Sequence, residues 1–290
     1  MELFLAHIIN GLILGGIYAL LVTGFNLLLL EGGIFQYAYP HLVVLSMYIS
    51  WMVLTWTNNG FLAFLAALIS GIIFGLLTEP IFRSLSKKSA AIASFIVSLG
   101  IAIIITDILS RVINNGKQIP FPDSLRGDQA LVSKGLVVFS LGQLFTLLGS
   151  FFAVAIVFYF LYKTKTGRAI RATAQSPSTA RLMGLPVVNI SILSYLISGI
   201  LGGASSIFLI MSLGSAASSL GNNLALKVLA VAIFAGLGNL AGGLAAALIL
   251  GIAESFVMGY LPGDWANAVA FGMIMIIVII KPRGIFGMKV

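Results

Sequence analysis

Four charged side chains fall inside or beside long apolar runs, and any chemistry at membrane depth has to come from them. Glu254 lies in Leu250-Gly-Ile-Ala-Glu-Ser, deep in an apolar segment, while Glu79 and Asp107 sit nearer the ends of theirs. Lys227 is close enough to a segment end for its ammonium to reach the interface. A carboxylate placed like Glu254 can bind and release a proton or a sodium ion, the step that drives a coupled carrier. Such a carrier wants several ionisable groups converging, and only Glu254 is well placed. The simpler expectation is a single carboxylate, hydrogen-bonded or protonated, that pins two helices together. His7 and His41 share no metal-ligand spacing, so each reads as an interfacial polar residue and no metal site is expected. There is no His-Glu-x-x-His, no Gly-x-Ser-x-Gly and no paired-carboxylate arrangement. There is no G-x-x-x-x-G-K-[ST] either, so the chain cannot hydrolyse ATP alone and is not expected to be an enzyme. It has no cysteine, hence no disulfide framework, thiol nucleophile or thiolate metal site.

The second chemical feature is a polar island, Lys163 to Leu185, with five of the sixteen basic residues and no acidic one. Ser176 suits a helix N-cap, Pro177 the first helical position and Gly184 a left-handed stop, which predicts a short basic helix from Pro177 to Met183. Positive charge alone would serve to orient the chain, but it does not account for the Ser-Pro…Gly frame. A short capped basic helix on the inner face is suited to receive force from a separate ATPase.

The elements that position these groups follow from composition. Sixty per cent of the residues are hydrophobic and 8% are charged, against about 25% charged in a soluble domain. This much apolar surface needs lipid as its solvent, so the fold class is an all-α integral membrane protein. The 290 residues form one membrane domain. The net charge of +8 does not point to nucleic acid, because the basic residues sit in short loops.

Apolar segments occur at about 8–30, 41–56, 61–82, 90–112, 144–162, 188–212, 224–237, 243–260 and 265–280. The segments at 41–56 and 224–237 are short for full spans. The expectation is therefore a polytopic bundle of 8–9 transmembrane segments with broken or re-entrant helices. Eleven of the sixteen basic residues cluster at 83–88, 163–181 and 281–289, and the positive-inside rule makes these clusters cytoplasmic. The turn-rich loop at about 113–143 is then outside, the C-terminus inside and the N-terminus outside. Two stretches interrupt apolar helix, Glu31 to His41 and Gly236 to Gly243. Each is either an interfacial turn or a break at membrane depth, and the turn is favoured for the second. Gly11/Gly15, Gly71/Gly75, Gly199/Gly203 and Gly238/Gly242 read as packing seams, within the bundle or against a partner subunit.

Four stretches in order carry a resemblance. Asn10-Gly-Leu-Ile-Leu-Gly-Gly-Ile-Tyr-Ala-Leu opens the first helix, and Gly167-Arg-Ala-Ile-Arg-Ala-Thr-Ala…Ala180-Arg-Leu-Met-Gly-Leu fills the island. A Gly-rich run follows from Leu226 to Glu254, and Lys281-Pro-Arg-Gly-Ile-Phe-Gly closes the chain. With these the chain resembles the permease subunits of the branched-chain amino acid and amide ABC importers, the LivH/LivM family, with LivH-type favoured by its length. The resemblance implies a homologous or identical permease partner, two ABC ATPase subunits holding ATP and Mg, an extracytoplasmic binding protein, and no cofactor in this chain. It implies the cytoplasmic (inner) membrane of a bacterium or archaeon.

It also implies a coupling segment at about 163–187, with Arg168, Arg171, Ser176, Pro177, Arg181, Met183 and Gly184 facing the ATPase. Gln36, Tyr37 and Tyr39 become candidates for the translocation path, with Asn26, Asn222 and Glu254 behind them. The family usually has an Asn-Phe-Ala-His-Gly-like stretch where this chain has Gln36-Tyr-Ala-Tyr-Pro. It often has an acidic pair where this chain has Gln175 and Ser176. The first departure leaves branched-chain amino acids, other amino acids, urea and short amides open as substrates. The competing expectation is a stand-alone carrier or channel for small polar solutes that uses Glu254.

Overall fold

Leu, Ile, Val and Ala dominate every long segment, and each of the nine apolar segments becomes a helix. The computed structural model describes residues 2–33, 35–87, 91–111, 118–122, 130–134, 137–261, 265–281 and 284–285. The helices are α1 (Glu2–Gly32), α2 (Tyr39–Thr57), α3 (Gly60–Lys87), α4 (Ala91–Arg111), α5 (Leu141–Lys163), α6 (Lys165–Gln175), α7 (Pro177–Leu182), α8 (Val187–Leu213), α9 (Leu220–Ala235), α10 (Leu240–Tyr260) and α11 (Trp265–Ile280). Six of them, α1, α3, α4, α5, α8 and α10, are long and apolar enough to cross a membrane. The chain is a multi-pass, overwhelmingly helical membrane protein.

Four short strands qualify the all-α expectation. β1 (Ile119–Pro120) pairs antiparallel with β4 (Ser215–Ala216), and β2 (Ala130–Lys134) with β3 (Val137–Ser140). Both pairs lie in connections between helices, where backbone groups have no helical partner and satisfy one another instead. Much of the loop at 113–143 lies outside the described residues, and α5 already begins at Leu141.

Packing follows the glycines. In lipid no hydrophobic force drives helices together, so close backbone approach and van der Waals contact must do it. The largest interface joins α1 to α10. There a Cβ added to Gly251 would lie 2.5 Å from Gly15 Cα. The next joins α3 to α8, where a Cβ on Gly71 would lie 2.8 Å from Gly203 N. Three of the four spaced glycine pairs are therefore seams inside this bundle, and two of them, on α3 and α8, face each other. Gly238/Gly242 is different: Gly238 turns the chain in the left-handed region (φ +80°), and Gly242 N–H donates to Asn239 Oδ1 (2.9 Å) to cap α10.

Candidate functional site

The first interruption is not a surface turn. After Gly33 the chain leaves α1 and re-enters helix at Tyr39, next to the centres of two long helices. Ala38 N–H donates to Ser98 Oγ on α4 (2.8 Å), Tyr39 Oη donates to Ser198 O on α8 (3.1 Å), and Ser198 Oγ donates to Gly24 O on α1 (3.0 Å). The first turn of α2 is thus held well inside the lengths of α4 and α8, against the C-terminal third of α1. Pro40 sits at the start of α2, where its missing N–H costs nothing.

The candidate path residues separate into distinct surroundings. Gln36 is 1% exposed, and among the described residues neither its Oε1 nor its Nε2 has a partner. With Tyr39, Ser46, Thr78 and Ser198 it lines a cavity of about 10 Å³, room for about one water. Tyr37 packs against His41 and Phe95, with ring centroids 5.4 and 6.2 Å apart. His41 is not interfacial: it is 1% exposed, with Nε2 2.9 Å from Asn222 Oδ1 and Nδ1 3.3 Å from Tyr37 O. Its burial follows from the start of α2 lying well inside the lengths of α4 and α8. Tyr37 and Asn222 are thereby brought together through a histidine that sequence reasoning placed at the interface. Asn26 is elsewhere, buried against the α9–α10 turn with Nδ2 3.4 Å from Asn239 O.

Glu254 is fully buried and closed off from the others. Tyr18 Oη donates to its Oε2 (2.7 Å), and Lys227 Nζ donates both to its Oε1 and to Tyr18 Oη (3.2 Å). Lys227 does not extend to the interface. It turns inward because the desolvated carboxylate offers a partner of opposite charge within reach. The carboxylate pins three helices, α1, α9 and α10, one more than expected. Of the remaining charges, Arg83 pairs with buried Glu79 (3.3 Å), and Arg111 with Asp107 on the surface (2.6 Å).

The polar island folds as two helices. Thr164 ends α5 and caps α6: its Oγ1 accepts from Gly167 N–H (3.0 Å). Gly167, Ile170 and Thr173 form the buried face of α6, and Arg168 is exposed. Arg171 stacks on the Tyr162 ring at 4.6 Å, so part of its charge is spent on α5. The expected Ser-Pro…Gly helix is present as α7, one residue shorter than predicted. Ser176 Oγ accepts from Thr179 N–H (3.3 Å), Pro177 begins the helix and Gly184 follows it with φ +80°. Gly184 N–H donates to Arg181 O and Leu185 N–H to Ala180 O, each at 3.0 Å. That pair of bonds is the Schellman stop, which satisfies carbonyls a six-residue helix would otherwise leave open. Arg181 is exposed, as are Leu182 (87%) and Met183 (79%). Ser176→Ala is expected to destabilise α7 by about 1 kcal/mol. Hydrogen exchange should read this as roughly fivefold faster amide exchange in α7 alone, with α8 amides unchanged.

The family described as "Branched-chain amino acid transport system / permease component" matches residues 7–278. The chain is 24% identical to the high-affinity branched-chain amino acid transport system permease protein BraD of Pseudomonas aeruginosa and 22% identical to LivH of Escherichia coli. Each match covers 98% of this chain and 96% of the relative. It is 26% identical to a probable LivH of Methanocaldococcus jannaschii, over 76% of this chain and 72% of that one. No solved structure matches the chain. A family of transport permeases gives no support to a stand-alone carrier built on Glu254, whose carboxylate is in any case committed to Lys227 and Tyr18. This chain belongs to the permease components of the branched-chain amino acid transport systems and is a membrane-spanning transport subunit, not an enzyme.

Proposed function

We propose that this chain forms half of the transmembrane path of an ABC importer for branched-chain amino acids or closely related small amides, beside a homologous or identical permease subunit. The substrate class rests on the names of BraD and LivH. The chain crosses the cytoplasmic (inner) membrane of a bacterium or archaeon eight or nine times, with its N-terminus outside and its three basic clusters and C-terminus inside. Two ATPase subunits hold the ATP and Mg²⁺, and an extracytoplasmic binding protein delivers solute to the outer face, where the loop at 113–143 lies.

The observation that carries the reading is α7. A six-residue helix capped at both ends presents Arg181, Leu182 and Met183 outward. Exposed apolar side chains on a rigid, basic support fit a partner surface better than water. Movement of α7 on ATP binding rocks α8, which follows it after a short link, and exposes the path to each side in turn. Gln36, Tyr37, Tyr39 and Asn222 are the path residues in this reading. Asn26 and Glu254 belong to the scaffold, and Arg171 supports α6 from behind.

The test is a pull-down from mild detergent by a C-terminal tag, comparing wild type with Arg168→Glu/Arg181→Glu. Wild type is expected to retain an ATPase that the double variant loses at equal expression. Absence of any ATPase from the wild-type preparation would sink the importer reading.

A further inference from the structure

We propose that the outward face of α9, with Asn222 and Asn223 on it and Ser219 just before it, is a water-lined wall of the solute path; the proposal rests on the permease reading above. Inside α9 only Asn222 and Asn223 are exposed, and Ser219 is exposed at its start. This contrasts with the exposed faces of two helices of spanning length, α3 and α5. Every exposed residue of α3 from Phe61 through Ile81, and of α5 from Phe145 through Ile156, is apolar. Carboxamides leave hydrocarbon for water or for a partner. Among the described residues the Asn222 side chain has one partner, His41, and that contact places this face at the height of the first turn of α2.

One turn deeper on the same face is Lys227, whose side chain is 12% exposed while the Glu254 side chain is fully buried. Its ammonium turns inward to Tyr18 and Glu254. Tyr37 borders the same surface through His41. The wall therefore runs from uncharged donors and acceptors to the edge of a cation already balanced by its own carboxylate. That sequence suits a small polar solute that is neutral overall, passed between hydrogen bonds without a strong site to trap it. α9 has 16 residues, short of the ~20 that span a bilayer. A helix that starts below the outer surface gives water a way to its first turn.

The absence of native cysteine makes the test clean. Single variants Ser219→Cys and Asn223→Cys, with Ile73→Cys and Phe152→Cys as controls on the exposed faces of α3 and α5, are made in the assembled importer in native membranes. Each is treated with a charged, membrane-impermeant methanethiosulfonate, which reacts with the thiolate and so requires water at the sulfur. The α9 thiols are expected to react at least about 10-fold faster than the controls, and the rate is expected to change when ATP is added. Rates equal to the controls overturn the proposal. So does efficient Asn223→Cys disulfide formation between two copies without reagent labelling, which would make this face a subunit contact. Uptake of labelled leucine is measured on the same membranes. Uptake without α9 labelling defeats the wall alone, whereas loss of uptake in the cysteine-free parent defeats the permease reading beneath it.

Discussion

Replacing Lys227 alone by methionine is expected to cost about 3–5 kcal/mol of stability, the largest effect of any single charge change in this chain. Glu254 has no exposed surface, and among the described residues its only other partner is the Tyr18 hydroxyl. Without the ammonium it must either stay charged in a dry site or take up a proton, and both are unfavourable against the native pair. The double change Lys227→Met/Glu254→Gln removes the problem at both ends, because a neutral carboxamide can still accept from Tyr18. It should recover most of the loss, since a neutral pair of similar volume is often as stable as the ions it replaces. Thermal unfolding in detergent separates the cases. A single variant as stable as wild type would mean that the ion pair does not hold α9.

Gly251→Val is expected to prevent α1 and α10 from docking at all. A Cβ at this position meets backbone, with Gly15 Cα 2.5 Å away, so no rotamer change relieves it. The penalty belongs at or above the upper end of the usual overpacking cost, about 3 kcal/mol. Gly100→Ala on α4 is the matched control. Nothing lies within 4 Å of its added Cβ, and alanine should gain about 0.5–1 kcal/mol of helix propensity. The fraction of protein that stays monodisperse after solubilisation reports both. If Gly251→Val behaved like Gly100→Ala, the α1–α10 seam would not be the centre of the fold.

All nine apolar segments were legible as helices because span-length apolar runs are long, strong signals. The α7 helix was legible to within one residue because its caps are chemically specific. Local signals that were present went unread. Ser140 and Gln143 form a reciprocal capping box that starts α5 three residues earlier than the apolar count put it. Thr164 and Gly167 mark the separate start of α6.

The inward turn of Lys227 had no such mark. Its reach to an interface and its reach to Glu254 are both compatible with the sequence, and only the packing of α9 between α1 and α10 decides. His41 was misplaced for the same reason: burial depends on where the first turn of α2 stops, which is fixed by Ser98 and Ser198 on distant helices. Expected path residues that looked equivalent in the sequence were separated by contacts of this kind.

The pairing of α1 with α10 also sets an order of events during synthesis. Tyr18 finds Glu254 across 236 positions of chain, so α1 is made long before α10, the helix with which it shares its largest interface. Until then Gly11 and Gly15, which face the α10 backbone in the finished bundle, lack that partner. α9 waits longer still, since Ile285 N–H donates to Phe234 O (2.9 Å) near its C-terminal end. The contacts of α3 and α1 with α8 involve earlier helices, so the α1–α10 seam locks a bundle that can already be partly packed. The largest interface of the bundle is therefore also the last of the large ones to become available.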